Sequence, residues 1–327
     1  MIDRIIEIAN PARLSVRDAQ LVIERPLTEQ LSLPFTTPIS EIAVLLLAHP
    51  QIILSQAVLS RIAEAGGSVV TIDGKFLPAS MQLPIQAHFL QTERFAKQTQ
   101  LSLPTRKRLW QQVVRAKIRA QGDLLKELHG SDSGLIAMSA RVRSDDAGNL
   151  EAQAARRYWP LIFGNPKFRR GSEEPNQNRH LDYGYTVLRA AVARALCAAG
   201  LHPSIGLRHK NRYDAFCLAA DVMEPFRPLV DRRVAQWIRD HDPAALLDPA
   251  TKNWIIGSTT ARYVCDREQR SLFDILLRTA NSLAQCITGE SREIEIPSLL
   301  EPCADEMLPP KREVRSVKAV GREQAVG

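Results

Sequence analysis

No stretch of about 18 or more apolar residues occurs in this chain, so no transmembrane helix is expected. The opening residues, Met1-Ile2-Asp3-Arg4-Ile5-Ile6-Glu7-Ile8, form no apolar h-region, so no signal peptide is expected either, and the prediction is a cytoplasmic protein without membrane contact. Cysteine is sparse and odd in number: Cys197, Cys217, Cys265, Cys286 and Cys303, with no Cys-x-x-Cys pair. That pattern supports neither a disulfide framework nor a zinc site, and it predicts small buried apolar thiols in a reducing compartment. No internal repeat is visible, which argues against a solenoid.

What is present is a chain of 327 residues, more than one ordinary domain and fewer than three, with 45% hydrophobic residues and so no obstacle to a sizeable core. The formal net charge of +7 suggests an anionic partner, because Lys and Arg neutralise phosphates and release counterions. Up to about residue 80 the pattern is that of strands. Arg4–Ile8, Arg13–Val16 and Leu21–Glu24 alternate or nearly so, and Ile42–Leu47 is a continuous apolar run that predicts a strand covered on both faces. Gln30–Pro38 is proline-bearing and predicts a hairpin loop. Ser55 can cap a short helix ended by Gly66-Gly67, and Ser68–Ile72 is another strand.

From about residue 90 the period becomes helical. Leu109, Val113, Ala116, Ala120 and Leu124 form one stripe of a long helix starting near Pro104. Asn149 can cap a helix from Leu150 towards Phe163, with Gly164 as its stop. Leu181–Ala199 is an alanine-rich helix closed by Gly200, and a helix over Phe216–Met223 is disturbed by Pro225 and Pro228. Ser271 can cap a last helix to Ile287. The expected fold class is α+β: a mostly-β N-terminal domain over residues 1–88, a larger all-α domain over 89–300, and a basic, disordered tail over 301–327.

Three places can carry chemistry. Asp221 and Glu224 are three residues apart on a predicted helix, so their carboxylates share a face, and clustered oxygen ligands suit magnesium or manganese; two solvated acids are the ordinary alternative. His209 sits among Arg208, Lys210 and Arg212, a setting that favours the neutral, metal-binding imidazole and can also hold phosphate; a plain basic loop is the alternative. Glu151 lies in a first helical turn, where an acid more often serves the helix dipole. No spacing rule joins the three segments.

The strings themselves are more specific. Glu151-Ala-Gln-Ala-Ala-Arg-Arg-Tyr-Trp-Pro-Leu-Ile-Phe-Gly164, Leu181-Asp-Tyr-Gly-Tyr-Thr-Val-Leu-Arg-Ala190, and Gly200-Leu-His-Pro-Ser-Ile-Gly-Leu-Arg-His209 continuing to Asp221-Val-Met-Glu-Pro-Phe-Arg-Pro-Leu-Val-Asp231 resemble, in order, signatures of the CRISPR-associated integrase family, the universal adaptation endonuclease, in its type II-like version. Asn10-Pro-Ala-Arg-Leu-Ser15 and Gln91-Thr-Glu-Arg-Phe95 match as well, and the likeness runs to about residue 290. The resemblance implies a fold with an N-terminal β domain and a helical C-terminal domain. It implies a homodimer formed through the N-terminal region, a small ferredoxin-like partner subunit, and DNA as substrate. It also implies a Mg2+ or Mn2+ site made by Glu151, His209 and Glu224, with Asp221 a possible further ligand at its edge.

The implied activity is insertion of short DNA fragments into a repeat array by 3′-hydroxyl attack on a phosphodiester, with nuclease activity when water attacks. Lys167, Arg169, Arg170, Arg208, Lys210 and Arg212 are candidates for holding backbone phosphates. The chain departs from the pattern at Arg208, Ala220 and Asp182, where the family often has His, Asp and Asn; one added cation and one lost acid leave the choice between magnesium and manganese open. A non-catalytic nucleic-acid-binding scaffold and a general DNA-repair nuclease are the alternatives.

Overall fold

The computed structural model describes residues 4–25, 34–72, 78–84, 88–172, 176–209, 211–265, 268–298 and 301–302. The alternating segments at the start become β1 (Arg4–Ile8), β2 (Ala12–Arg17) and β3 (Gln20–Glu24). They are followed by β4 (Phe35–Pro38), β5 (Ile42–Leu47), β6 (Ile52–Leu54), α1 (Gln56–Glu64), β7 (Ser68–Ile72) and β8 (Pro78–Gln82). Two four-stranded sheets result, ordered β1-β5-β7-β8 and β4-β3-β2-β6. In the first, β1, β5 and β7 run parallel and β8 antiparallel.

The expected loop at Gln30–Pro38 is corrected in part. Phe35–Pro38 pairs antiparallel with β3 at the edge of its sheet, where a proline costs little; residues 30–33 lie outside the described residues. Ser55 stands at the N-cap of α1 without capping through its side chain, and Gly66, at φ 78°, supplies the left-handed turn that ends it.

All six residues of β5 are buried, because the strand lies between two cores. Ile42, Leu45 and Leu47 pack with Leu14, Leu21, Val58 and Ile62 inside the strand-rich region. Ala43, Val44 and Leu46, with Val70, pack into the core of the helical region. The apolar run is therefore covered within one chain and is no argument for dimerisation.

The helical region comprises α2 (Gln91–Thr99), α3 (Leu103–His129), α4 (Leu135–Ala140), α5 (Leu150–Ile162), α6 (Asn178–Ala198), α7 (Cys217–Met223), α8 (Arg227–Trp237), α9 (Pro249–Thr260) and α10 (Leu272–Thr288). Ser102 and Ser271 cap α3 and α10 by accepting from the amides of Thr105 and Asp274. The central helix is α6, and Gly184 allows its closest approach: a Cβ there would lie 2.4 Å from Val230 Cγ1 and 2.8 Å from Ile255 Cγ2. Pro225 and Pro228 do not end the helical path. They occupy first-turn positions of a 3-10 turn at Glu224–Phe226 and of α8, where no amide hydrogen is needed.

The helical region is not purely α: β9 (Arg262–Cys265), β10 (Glu268–Ser271) and β11 (Glu301–Pro302) form a small antiparallel sheet, so the first two residues assigned to the tail are paired strand. Residues 303–327, Cys303 among them, lie outside the described residues. Cys197, Cys217, Cys265 and Cys286 form no disulfide among the described residues. Among the described residues no helix is long and apolar enough to cross a membrane.

Candidate active site

Glu151 is set by the turn before α5. Asp145, Asp146 and Asn149 adopt left-handed φ values of 62°, 47° and 49°, which short polar side chains tolerate. This turn aims the Asp146 carboxylate at α5, where it accepts the amides of Leu150 at 2.9 Å and Glu151 at 3.0 Å. Asp146, and not the expected Asn149 side chain, therefore caps the helix, and it anchors the backbone of Glu151.

His209 is set by Asp221. The Asp221 side chain is fully buried. Its Oδ2 accepts the amides of Leu207 and Arg208 at 2.6 and 3.0 Å, and its Oδ1 accepts the amide of His209 at 3.3 Å and the His209 ring Nδ1 at 2.5 Å. Gly206 makes the wrap possible, since a Cβ there would meet His209 O at 2.5 Å and Asp221 Oδ2 at 2.9 Å. The ring of Trp110 lies edge-on to the imidazole, centroids 6.0 Å apart. With Nδ1 donating to a carboxylate, the neutral ring carries its free lone pair on Nε2. The hydrogen bond to Asp221 raises the His209 pKa; burial opposes it, and the charges of Asp221, Glu224 and Glu151 reinforce it.

Asp221 and Glu224 do not act as one pair. Glu224 falls in the 3-10 turn after α7 and points to different partners. Its Oε1 meets Arg227 Nη2 at 2.9 Å and its Oε2 meets Lys117 Nζ at 2.6 Å. The same Lys117 nitrogen donates to Glu151 Oε1 at 2.6 Å. Two oxygens each 2.6 Å from one nitrogen are at most about 5.2 Å apart, so residues from α5 and the end of α7 face each other across one cation of α3. Burial drives the Glu224 pKa up, but the charges of Arg227 and Lys117 outweigh it and hold the group below the usual carboxylate range. Burial likewise lowers Lys117, and Glu224 and Glu151 more than restore it.

Glu224 Oε2 is buried, and although Lys117 lies 2.6 Å away the contact lacks hydrogen-bond geometry, leaving that oxygen with no hydrogen-bond donor. An orphaned carboxylate oxygen facing a second carboxylate, with an imidazole beside them, is a donor set that suits Mg2+ or Mn2+. As they stand, no three such groups among the described residues converge closely enough to hold an ion; the Lys117 ammonium lies between the two carboxylates.

Behind the site, Arg227 stacks over Tyr185, 4.5 Å from its centroid. Tyr185 and Tyr158 both donate hydroxyls to the buried Asp231, whose pKa burial pushes up to about 6. Of the expected phosphate ligands, Lys167, Arg169 and Arg212 are exposed. Arg208 is mostly exposed and touches Asp145 at 3.2 Å. Arg170 is taken up inward by Asp182, Asn178 and the Tyr185 ring. Lys210 lies outside the described residues. Lys117, Arg227 and Asp146 were not foreseen from sequence: Lys117 follows one position after an apolar-stripe alanine and has no local sign of its partners. A cavity of about 990 Å3 bounded by β1, β4 and α9 shares no residue with this site.

The family model for CRISPR associated protein Cas1 matches residues 7–243. The chain belongs to the Cas1 family. It is 33% identical to the CRISPR-associated endonuclease Cas1 of Neisseria meningitidis serogroup C (strain 8013) over 301 residues, 91% of this chain and 96% of that protein. Its fold is similar to that of a casposase bound to integration product, with TM-score 0.72 and 17% identity over 89% of this chain and 91% of the other. A Cas6-RT-Cas1–Cas2 complex contains a similar fold, with TM-score 0.68 and 18% identity over 89% of this chain and 36% of the other. The α+β reading agrees with the Cas1 fold.

Proposed function

We propose that this Cas1-family chain is a divalent-metal-dependent DNA integrase and endonuclease of CRISPR adaptation, in which Glu151, His209 and Glu224 hold Mg2+ or Mn2+. The observation that carries the reading is the pairing of Glu151 and Glu224 across one nitrogen, with the Nε2 side of His209 left for a ligand. When bound, such an ion lowers the pKa of an attacking 3′-hydroxyl and offsets the charge gathering on phosphorus. Asp146 fixes the backbone of Glu151, Arg227 holds Glu224 by its other oxygen, and Asp221 sets the imidazole tautomer. Asp221 has both oxygens engaged in this way, so its role is to orient His209 and not to bind the ion. Exposed Lys167, Arg169, Arg208 and Arg212, with Lys210, hold backbone phosphates and position DNA without reading its sequence.

Likeness to the Cas6-RT-Cas1–Cas2 complex supports a Cas2 partner subunit, which the sequence resemblance implies is small and ferredoxin-like. A homodimer through the N-terminal region would use surfaces such as the edge strands β4 and β6, where Phe35 and Ile53 are exposed. The site of action proposed with this function is the cytoplasm.

The test is strand transfer of a short duplex into a repeat-bearing plasmid, with the partner subunit and Mn2+, for Glu151→Gln, His209→Ala and Glu224→Gln. Each variant should lose most strand transfer and keep most DNA affinity, which comes from Lys and Arg. Glutamine keeps the volume at Glu224 and one carbonyl oxygen for Arg227, but like any neutral residue it removes the charge that pairs with Arg227 and leaves Lys117 with Glu151 alone, so folding of each variant is checked by thermal melting. Integration at the wild-type rate by Glu151→Gln or Glu224→Gln would overturn the assignment.

A further inference from the structure

We propose that Lys117 is the site's own counter-cation: its ammonium holds the place between Glu151 and Glu224 until a divalent ion displaces it, and once displaced it pairs with a DNA phosphate. This rests on the reading of Glu151, His209 and Glu224 as the metal-binding set. Lys117 Nζ lies 2.6 Å from an oxygen of each carboxylate, and ligation of an ion needs oxygens within roughly 2–2.6 Å of it. An ammonium and a divalent ion cannot both lie between those two oxygens, since they would compete for the same lone pairs and repel one another.

The exchange is built to be reversible. Without metal, two carboxylates facing each other would repel, and Glu224, only 5% exposed, would lack much of its compensation. Lys117 supplies that charge. After exchange, Arg227 still holds Glu224 Oε1 at 2.9 Å, so the buried acid keeps one partner throughout. Lys117 is 13% exposed and Glu151 29%, so the pair is not fully sealed from solvent, and a flexible four-carbon stem gives the ammonium room to move away from the carboxylates. The exposed cations Arg208 and Arg212 flank the His209 loop and make that side attractive to phosphate. A phosphate that captures the ammonium favours metal uptake, and metal that releases it favours DNA, so the two must bind with positive coupling by linkage.

Mn2+ affinity is measured by the free-ion electron paramagnetic resonance signal for the full chain, with and without a short DNA duplex. Lys117→Met should bind Mn2+ more tightly than wild type in the absence of DNA, on the order of ten- to a hundredfold, the range of one charge-assisted hydrogen bond. DNA should tighten Mn2+ binding to wild type and do so far less in Lys117→Met. A lysine that served stability alone would lower the unfolding temperature without tightening metal binding. In wild-type protein, reductive methylation of Lys117, followed by mass spectrometry, should be slow without metal and faster with Mn2+. This second measurement decides alone if Lys117→Met does not fold. Unchanged or weaker Mn2+ affinity in a folded Lys117→Met, or a methylation rate that Mn2+ does not alter while the ion binds, overturns the proposal and leaves the metal site standing. No Mn2+ binding by wild type, Lys117→Met and Glu151→Gln alike overturns the reading of the site, and this proposal with it.

Discussion

Asp221→Asn separates a ligand from the residue that aims one. The resemblance in sequence puts Asp221 at the edge of the metal-binding set, so its loss would be mild. The hydrogen bonds that Asp221 makes argue for a larger effect. Asp221 is fully buried and accepts four hydrogen bonds, three from backbone amides and one from the His209 ring. Asparagine keeps the shape but turns one acceptor oxygen into a donor. The retained oxygen belongs on the side of Leu207 and Arg208, where two amides arrive at 2.6 and 3.0 Å. The new NH2 then faces the His209 amide and Nδ1. Nδ1 must become an acceptor, which moves the ring proton to Nε2 and removes the lone pair a metal would use. Replacing such an outer partner of a ligating histidine typically costs 10–100-fold in metal affinity. Weakened hydrogen bonds and an amide opposed by a donor should also cost about 2–4 kcal/mol of stability. The assay is strand transfer titrated with Mn2+, beside nitrogen NMR of the His209 ring. Asp221→Asn should need roughly 10–100 times more Mn2+ and show the Nε2–H tautomer, with DNA affinity measured without metal unchanged. Wild-type Mn2+ dependence together with an Nδ1–H ring would refute the reasoning.

Other outcomes follow from the same geometry. Gly206→Ala should weaken Mn2+ binding and strand transfer together, because its Cβ would lie 2.5 Å from His209 O; Gly257→Ala, whose nearest neighbour is the Arg233 side chain at 3.5 Å, should be near neutral by thermal melting. Asp231 has a folded pKa pushed up to about 6 from 3.8 by burial, so the carboxylic acid is the form the fold prefers. Its contribution is present below pH about 4 and is lost as pH rises through about 6, roughly 3 kcal/mol in all. The unfolding free energy of wild type should therefore fall relative to that of Asp231→Asn across this window, and parallel pH profiles would contradict the assignment. Residues 1–88 expressed alone should scatter light as a polydisperse aggregate, because Ala43, Val44, Leu46 and Val70 lose the helical core that covers them. A monodisperse species would show that this face can be covered without the helices.

Much of the architecture was legible because it is written locally. Alternation over Arg4–Ile8 and Leu21–Glu24, a run of six apolar residues at Ile42–Leu47, and the stripe from Leu109 to Leu124 each state a period that one strand or helix satisfies. Ser271 works through an amide three residues away, and Gly66 and Gly164 through their own φ. Ordered motifs brought Glu151, His209 and Glu224 under suspicion before any geometry was known. What covers β5, which acid caps α5, and which ring nitrogen of His209 meets Asp221 depended on contacts that no local period reports. Pro225 and Pro228 looked like terminators because a proline's meaning depends on whether its position needs an amide hydrogen, and that is known only once the turn is seen. Lys117 was the least legible of all. In sequence it is one cation within a long helix, and no spacing relates it to Glu151 or Glu224. Only the packing of α3 against α5 and the turn after α7 puts its nitrogen 2.6 Å from both carboxylates, because an ion pair is decided by distance through space and periodicity reports only neighbours along the chain.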